Sequence, residues 1–286
     1  MTTTKPAVIV AGYDGTQESL RAVFWAAAEA DRRQNALLVA RALDWNWPSA
    51  GYPDVALAPL CGGTERLRRE AEIEIGELAH EIGHSHPDLD VRTVLLEDLP
   101  GHALQRISTR SEAAMLVIGP PGTGPFARVV FGSTTADLAQ APGRPLVVVR
   151  GDEPGAGAVG RPVVVGLDPV ADNSAALAFA MDFARKHEVR VHLVHATTNR
   201  IRGGGPSEAM VAELADWLSA YPDVPFEHEI VRDLPERALL DRARHAALLV
   251  VGYRRRNRFV RLLCGSVSRT VLHYAPCPVS VVGAGT

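Results

Sequence analysis

Glycine, serine and acid residues suited to chemistry concentrate in two short stretches. One runs Gly119-Pro-Pro-Gly122-Thr123-Gly124-Pro-Phe-Ala-Arg128-Val-Val-Phe-Gly132-Ser133-Thr134 and leads into a helical pattern. Glycines let a backbone approach a bulky anion closely. A Gly-Ser-Thr at a helix start places N–H groups, hydroxyls and the positive end of the helix dipole around a phosphate-sized space. The other stretch is Gly12-Tyr-Asp14-Gly15-Thr16, a carboxylate on a tight turn that can accept from a ribose hydroxyl. The Gly-Lys-Ser/Thr of a Walker loop is absent, and the glycine-rich stretch does not follow the first strand as a dinucleotide fingerprint would. The chemistry these residues describe is a nucleotide site split between two strand ends.

Other constellations are weaker. No GxSxG, HExxH or Cys/His pairing signals covalent or zinc catalysis, so no catalytic residue and no metal ligand is assigned. His84 with His86, and His192 with His195, lack a suitable third ligand, and on a strand the latter two point to opposite faces. Arg254, Arg255, Arg256, Arg258 and Arg261 form a basic cluster with only Tyr253 and Phe259 near it, which is too little aromatic interleaving for nucleic acid.

The elements that must position these loops occur twice. Ala7-Val-Ile-Val-Ala-Gly-Tyr-Asp14 recurs as Val163-Val-Val-Gly-Leu-Asp168, and Leu37–Ala42 recurs as Val191–Ala196. The turn at His86-Pro-Asp recurs at Tyr221-Pro-Asp, Glu97-Asp-Leu-Pro100 at Arg232-Asp-Leu-Pro235, and Ala113–Gly119 at Ala246–Gly252. Gly132-Ser133 returns as Gly265-Ser266. A repeat this long is a whole domain, and the Gly/Pro-rich stretch between copies reads as a linker. The organisation expected is a first domain over 1–150, a linker over 151–161 and a second domain over 162–286.

In the first copy, Ala7–Gly12, Leu37–Ala42, Val91–Leu96, Met115–Gly119 and Leu146–Val149 are apolar runs suited to strands buried on both faces of a parallel sheet. Helical spacing fills Glu18–Arg33, Thr64–His84, Ala103–Ser111 and Ser133–Ala141 between them. Strands alternating with helices imply a doubly wound α/β sheet, in which ligands bind at the strands' carboxyl ends where strand order reverses. Each copy closes on a short strand after a proline, and pairing those two strands within the chain would cover both edges.

Composition bounds the function. The chain has 286 residues, 47% hydrophobic and 22% charged, with a net charge of -3. That balance disfavours nucleic acid and anionic membranes as partners. No apolar run approaches the ~20 residues that span a bilayer, and three unpaired-looking cysteines suit a reducing cytoplasm.

These motifs resemble the universal stress proteins in their tandem two-domain form, of the actinobacterial type. That family's signature is Gly, two residues, Gly, nine residues, Gly-Ser/Thr, and Gly119, Gly122 and Gly132-Ser133 match it in full. The resemblance covers essentially the whole chain, twice. It implies two tandem Rossmann-like (adenine nucleotide alpha hydrolase-like) domains, each a five-stranded parallel sheet flanked by helices, related by a pseudo-two-fold axis as an intrachain pseudo-dimer. It implies ATP, with or without Mg, as the ligand. Asp14 would lie near the adenosine within the turn from Gly12 to Gly15, Ala42 would offer backbone groups to the adenine, and the glycine-rich loop with Ser133 and Thr134 would hold the phosphates. Asp168, Gly252, Gly265 and Ser266 are the corresponding positions of the second copy. The resemblance further implies a cytoplasmic regulatory role in stress or dormancy physiology. An unidentified protein partner and a homodimer remain open, and the alternatives are a slow ATP hydrolase or a scaffold that has lost nucleotide binding.

The copies depart from the signature in places. Pro120 and Pro121 remove two N–H donors from the first loop. In the second copy Arg255 stands where Gly122 stands in the first, either filling the phosphate space or turning its guanidinium to the anion, and Pro169 alters the turn after Asp168. Blockage is the expectation, with nucleotide bound mainly in the first domain.

Overall fold

Runs of Val, Ile and Leu closed by turn residues form the strands, and alanine-rich amphipathic segments form the helices that cover them. The computed structural model describes residues 7–43, 63–120, 133–140, 142–151, 160–168, 171–197, 214–217, 219–253 and 266–283. The chain divides into two compact units, Met1–Gly119 and Pro120–Thr286.

The first unit runs β1 (Val8–Gly12), α1 (Gln17–Arg33), β2 (Ala36–Ala42), α2 (Gly63–Ser85), β3 (Val91–Leu96), α3 (Pro100–Arg110) and β4 (Met115–Ile118). Its strands lie parallel in the order β3-β2-β1-β4, with Val10 opposite Leu38 on one side and Leu116 on the other. The chain builds outward from β1 through β2 to β3, then crosses back to place β4 on the other side of β1. That reversal between β1 and β4 is where a doubly wound sheet opens a crevice at its carboxyl edge. Ile9, Leu37 and Met115 are fully buried in the sheet. Helix α1 packs on β1, β2 and β4 through Ala22, Val23, Ala26 and Ala30, small residues that let the helix lie close to the strands. Helix α2 turns Ala71, Ile75, Leu78 and Ile82 inward, the stripe that the helical spacing predicts.

The second unit holds α4 (Ser133–Gln140), β5 (Leu146–Val148), β6 (Val163–Gly166), α5 (Ser174–His187), β7 (Val191–Thr197), β8 (Phe226–Arg232), α6 (Pro235–Ala243), β9 (Leu248–Gly252), α7 (Ser266–Tyr274) and β10 (Val279–Val282). Strand order is β5-β10-β9-β6-β7-β8, parallel except where β5 meets β10. There Val279, Ser280 and Val281 run antiparallel to Val148, Val147 and Leu146, the pairing of terminal strands that their exposed edges called for.

Two expectations need correction. The run Val91–Leu96 is not buried on both faces: β3 is partly exposed along its length, and its counterpart β8 more so. Each hydrogen-bonds to a single neighbouring strand within its unit, so water reaches what a central strand would hide. Helix α3 starts at Pro100 rather than Ala103, because a proline at the first helical position supplies the φ of the first turn and gives up an N–H that would have no helical acceptor. Pro235 opens α6 in the same way.

Candidate functional site

In the first unit Asp14, Gly15 and Gly119 lie around the N-terminus of α1. Thr16 caps the helix, accepting from Ser19 N–H at 3.2 Å. Asp14 Oδ1 accepts from the Thr16 N–H at 3.0 Å and from its hydroxyl at 2.6 Å. The Asp14 N–H in turn donates to the buried Ser19 hydroxyl at 3.2 Å. Among the described residues both bonds to the carboxylate use Oδ1, which leaves the second oxygen of the exposed Asp14 to another donor. Gly15 between them has φ +87°, a left-handed conformation that side chains resist.

The chain leaving β4 meets the same helix end. A Cβ at Gly119 would lie 2.7 Å from the Glu18 carbonyl carbon and 2.8 Å from Ser19 N. Gly119 is therefore glycine because the backbone of α1's first turn crosses it. Gly12 has a different reason, since a Cβ there would press on Leu104 at 3.0 Å and Ile118 at 3.1 Å. It is a packing glycine beneath the site.

Register explains what Ala42 offers. Gly12 lies opposite Ala40, and the Tyr13 N–H donates to the Ala40 carbonyl at 2.9 Å. Alternate residues of a strand turn their backbone groups to the same side. The N–H and C=O of Ala42 thus point to the β1 side, just past the point where β1 ends.

Beside this edge stands a polar cluster that spacing did not reveal. Tyr13 donates its hydroxyl to Glu74 Oε1 at 2.8 Å, Arg41 pairs with Glu74, and the Arg41 guanidinium lies 5.7 Å from the Tyr13 ring centre. Burial and the Glu74 hydrogen bond push the Tyr13 phenol up to about 12. Burial alone would raise the Glu74 carboxyl, but the bonds from Arg41 and Tyr13 outweigh it and hold the group below 4.5. A carboxylate with a depressed pKa stabilises the fold above its unfolded value and loses that contribution as pH falls through the folded one. Glu74→Gln should therefore lower stability at pH 7, by no more than about 1 kcal/mol given the exposure of Glu74. Urea midpoints of wild type and variant should converge well below pH 4.5, and a gap that persists there would contradict this.

Gly122, Thr123, Gly124, Arg128 and Gly132 lie outside the described residues, as do Arg255, Pro169 and Gly265. Ser133 and Thr134 open α4 in the second unit.

The second copy keeps the frame with different residues. Gly166 stands against Leu239 as Gly12 stands against Leu104. Asn173 takes the part of Ser19, accepting from the Asp168 N–H and donating to the Asp168 carbonyl, each at 3.0 Å. Gly252 ends β9 and Ser266 opens α7, but a Cβ at Gly252 meets nothing within 4 Å among the described residues. His192 and His195 do face opposite ways. His192 bonds Glu229 at 2.9 Å, and Glu229 also takes two bonds from Arg242.

The sequence profile of the Universal stress protein family matches residues 7–150 and again 160–283. The chain belongs to the universal stress protein family. A universal stress protein of Mycolicibacterium smegmatis is 33% identical over 288 residues, covering 96% of each chain. One of Mycobacterium tuberculosis is 32% identical over 292 residues, again covering 96% of each. The crystal structure of a universal stress protein from Archaeoglobus fulgidus shares the fold at a TM-score of 0.78 and 16% identity, covering 99% of this chain and all of the other. Two tandem domains of Rossmann-like α/β type are thus the architecture of this universal stress protein. Among the described residues no helix is long and apolar enough to cross a membrane, and no group of three or more acidic, His or Cys side chains could hold a metal ion.

Proposed function

We propose that this universal stress protein binds ATP, chiefly through its first copy, and acts as a cytoplasmic regulator in stress or dormancy physiology rather than as a strong catalyst. The observation that carries the reading is the convergence of the Asp14 turn and Gly119 on the N-terminus of α1, at the point where strand order reverses. The free oxygen of Asp14 suits a ribose hydroxyl, and the backbone of Ala42, turned past the end of β1, suits the edge of an adenine. Gly122, Gly132 and Ser133 supply the phosphate-binding pattern in sequence, in which Pro120 and Pro121 offer no N–H donor. In this reading the first and second domains span 1–150 and 162–286, joined by the linker at 151–161.

Mass spectrometry of small molecules released by denaturing freshly purified protein should find ATP. Gly122→Glu, which adds bulk and a like charge beside phosphate, should weaken ATP binding by about a hundredfold in calorimetry while the circular dichroism spectrum stays unchanged. Unaltered affinity in that variant would remove the assignment.

A further inference from the structure

The turn that carries Asp14 is held from two sides. Thr16 and Ser19 hold it to the start of α1. On its other side Gly15 lies against Glu74 and Arg41, since a Cβ there would stand 3.4 Å from Glu74 Oε1 and 3.8 Å from Arg41 Nη2. Glu74 sits on α2 between Ala71 and Ile75, both buried, so packing fixes the helix that presents it.

Three elements therefore meet at one carboxylate. Tyr13, just past β1, donates its hydroxyl to Glu74 Oε1 at 2.8 Å, and Arg41 of β2 pairs with Glu74 Oε2. The backbone ladder between β1 and β2 stops short of this point. Among the described residues, the bond from the Tyr13 N–H to the Ala40 carbonyl is the last that joins the two strands. Beyond it Tyr13 leads to Asp14 and Arg41 leads to Ala42, the groups that the ATP reading gives to ribose and adenine. Side chains thus set the separation of those two groups, and the side chains converge on Glu74. Among the described residues the second copy lacks this tie. Gly166 lies opposite Val194 as Gly12 lies opposite Ala40, which puts Leu167 in the place of Tyr13 and His195 in the place of Arg41. Leucine has no hydroxyl to donate, and the buried His195 Nδ1 has no hydrogen-bond partner there. Groups that read a ligand must be held to within about 0.5 Å by the residues behind them, and in the first copy Glu74 stands in that place.

We propose that Glu74 is a positioning residue of the first copy: through Tyr13 and Arg41 it sets the spacing of Asp14 and Ala42, and that spacing lets the site select a ribose hydroxyl. The inference rests on the ATP reading of that copy, and the experiment separates the two. The full chain, labelled with 15N-glycine, is titrated with ATP, 2′-deoxy-ATP and 3′-deoxy-ATP, and the Gly15 and Gly119 amides report binding at the first copy. In the wild type, the analogue lacking the hydroxyl that Asp14 holds should bind about tenfold more weakly than ATP. In Glu74→Ala, ATP should bind about tenfold more weakly while the affinity for that analogue is unchanged, so discrimination falls below about twofold. Tyr13→Phe, a milder change that keeps the ring beside Arg41, should lose part of the discrimination, and adding it to Glu74→Ala should weaken ATP no further. Discrimination kept at about tenfold in Glu74→Ala would overturn the inference, even with ATP and both analogues weakened equally, because a merely structural role leaves the ratio alone. A wild type that binds ATP and both analogues alike would overturn it too. ATP that leaves both glycine amides of the wild type unmoved would sink the ATP reading itself, and this inference with it.

Discussion

Gly119→Ala should destabilise the protein by about 3 kcal/mol, while Gly252→Ala should change stability by less than about 1 kcal/mol in either direction. The two glycines hold the same place in the repeated pattern, so the sequence alone gives no reason to separate them. Their surroundings do. At Gly119 a methyl group would sit 2.7–2.8 Å from the backbone of Glu18 and Ser19, and backbone cannot swing aside as a side-chain tip can. Either α1 or the end of β4 must shift, and both are fixed by packing in the sheet. At Gly252 the same methyl group meets open space among the described residues. Urea denaturation of the two variants measures the difference directly. A shift at Gly119 would also carry Ser19 and the turn it holds, so ATP affinity should fall in Gly119→Ala along with stability. Equal stability of the two variants would mean that the contact at α1 is looser than described.

The order of elements was legible because the chain states it twice. Apolar runs separated by helical stripes fix a doubly wound sheet, and the strand reversal beside β1 follows from that topology. The turn chemistry at Asp14-Gly15-Thr16 was visible too, though the service the structure gives it is to cap α1. Two kinds of information were not legible. One is exposure at the sheet edge: Val91–Leu96 looks like a buried strand because composition does not say whether a second neighbour exists. The other is the identity of partners distant in sequence. Arg41 and Glu74 are 33 residues apart, on β2 and α2, and only the packing of that helix on that strand brings them to Tyr13. In the sequence His195 is only the neighbour of His192, whereas strand register sets it where Arg41 stands.

The same limit applies inside a single helix. The apolar face of α1 includes Glu29, 2% exposed, paired with Arg33, whose side chain is 8% exposed. Their spacing is ordinary for a surface pair, and nothing in the pattern distinguishes it from the exposed Arg66–Glu70 pair on α2. Burial changes its energetics. Water and salt screen a surface pair to a small net value, but a buried charge that loses its partner retains its desolvation cost. Glu29→Leu should therefore cost about 3–5 kcal/mol, because the buried Arg33 guanidinium loses this carboxylate while keeping its desolvation cost. The double variant Glu29→Leu, Arg33→Leu should recover most of that loss, since neither charge is then buried and leucine restores apolar contact. The Arg66→Ala, Glu70→Ala pair serves as a surface reference and should move the urea midpoint only slightly. A single Glu29→Leu variant as stable as wild type would show that Arg33 reaches water once its partner is gone. A double variant no better than the single would place the cost in lost packing rather than in the stranded charge.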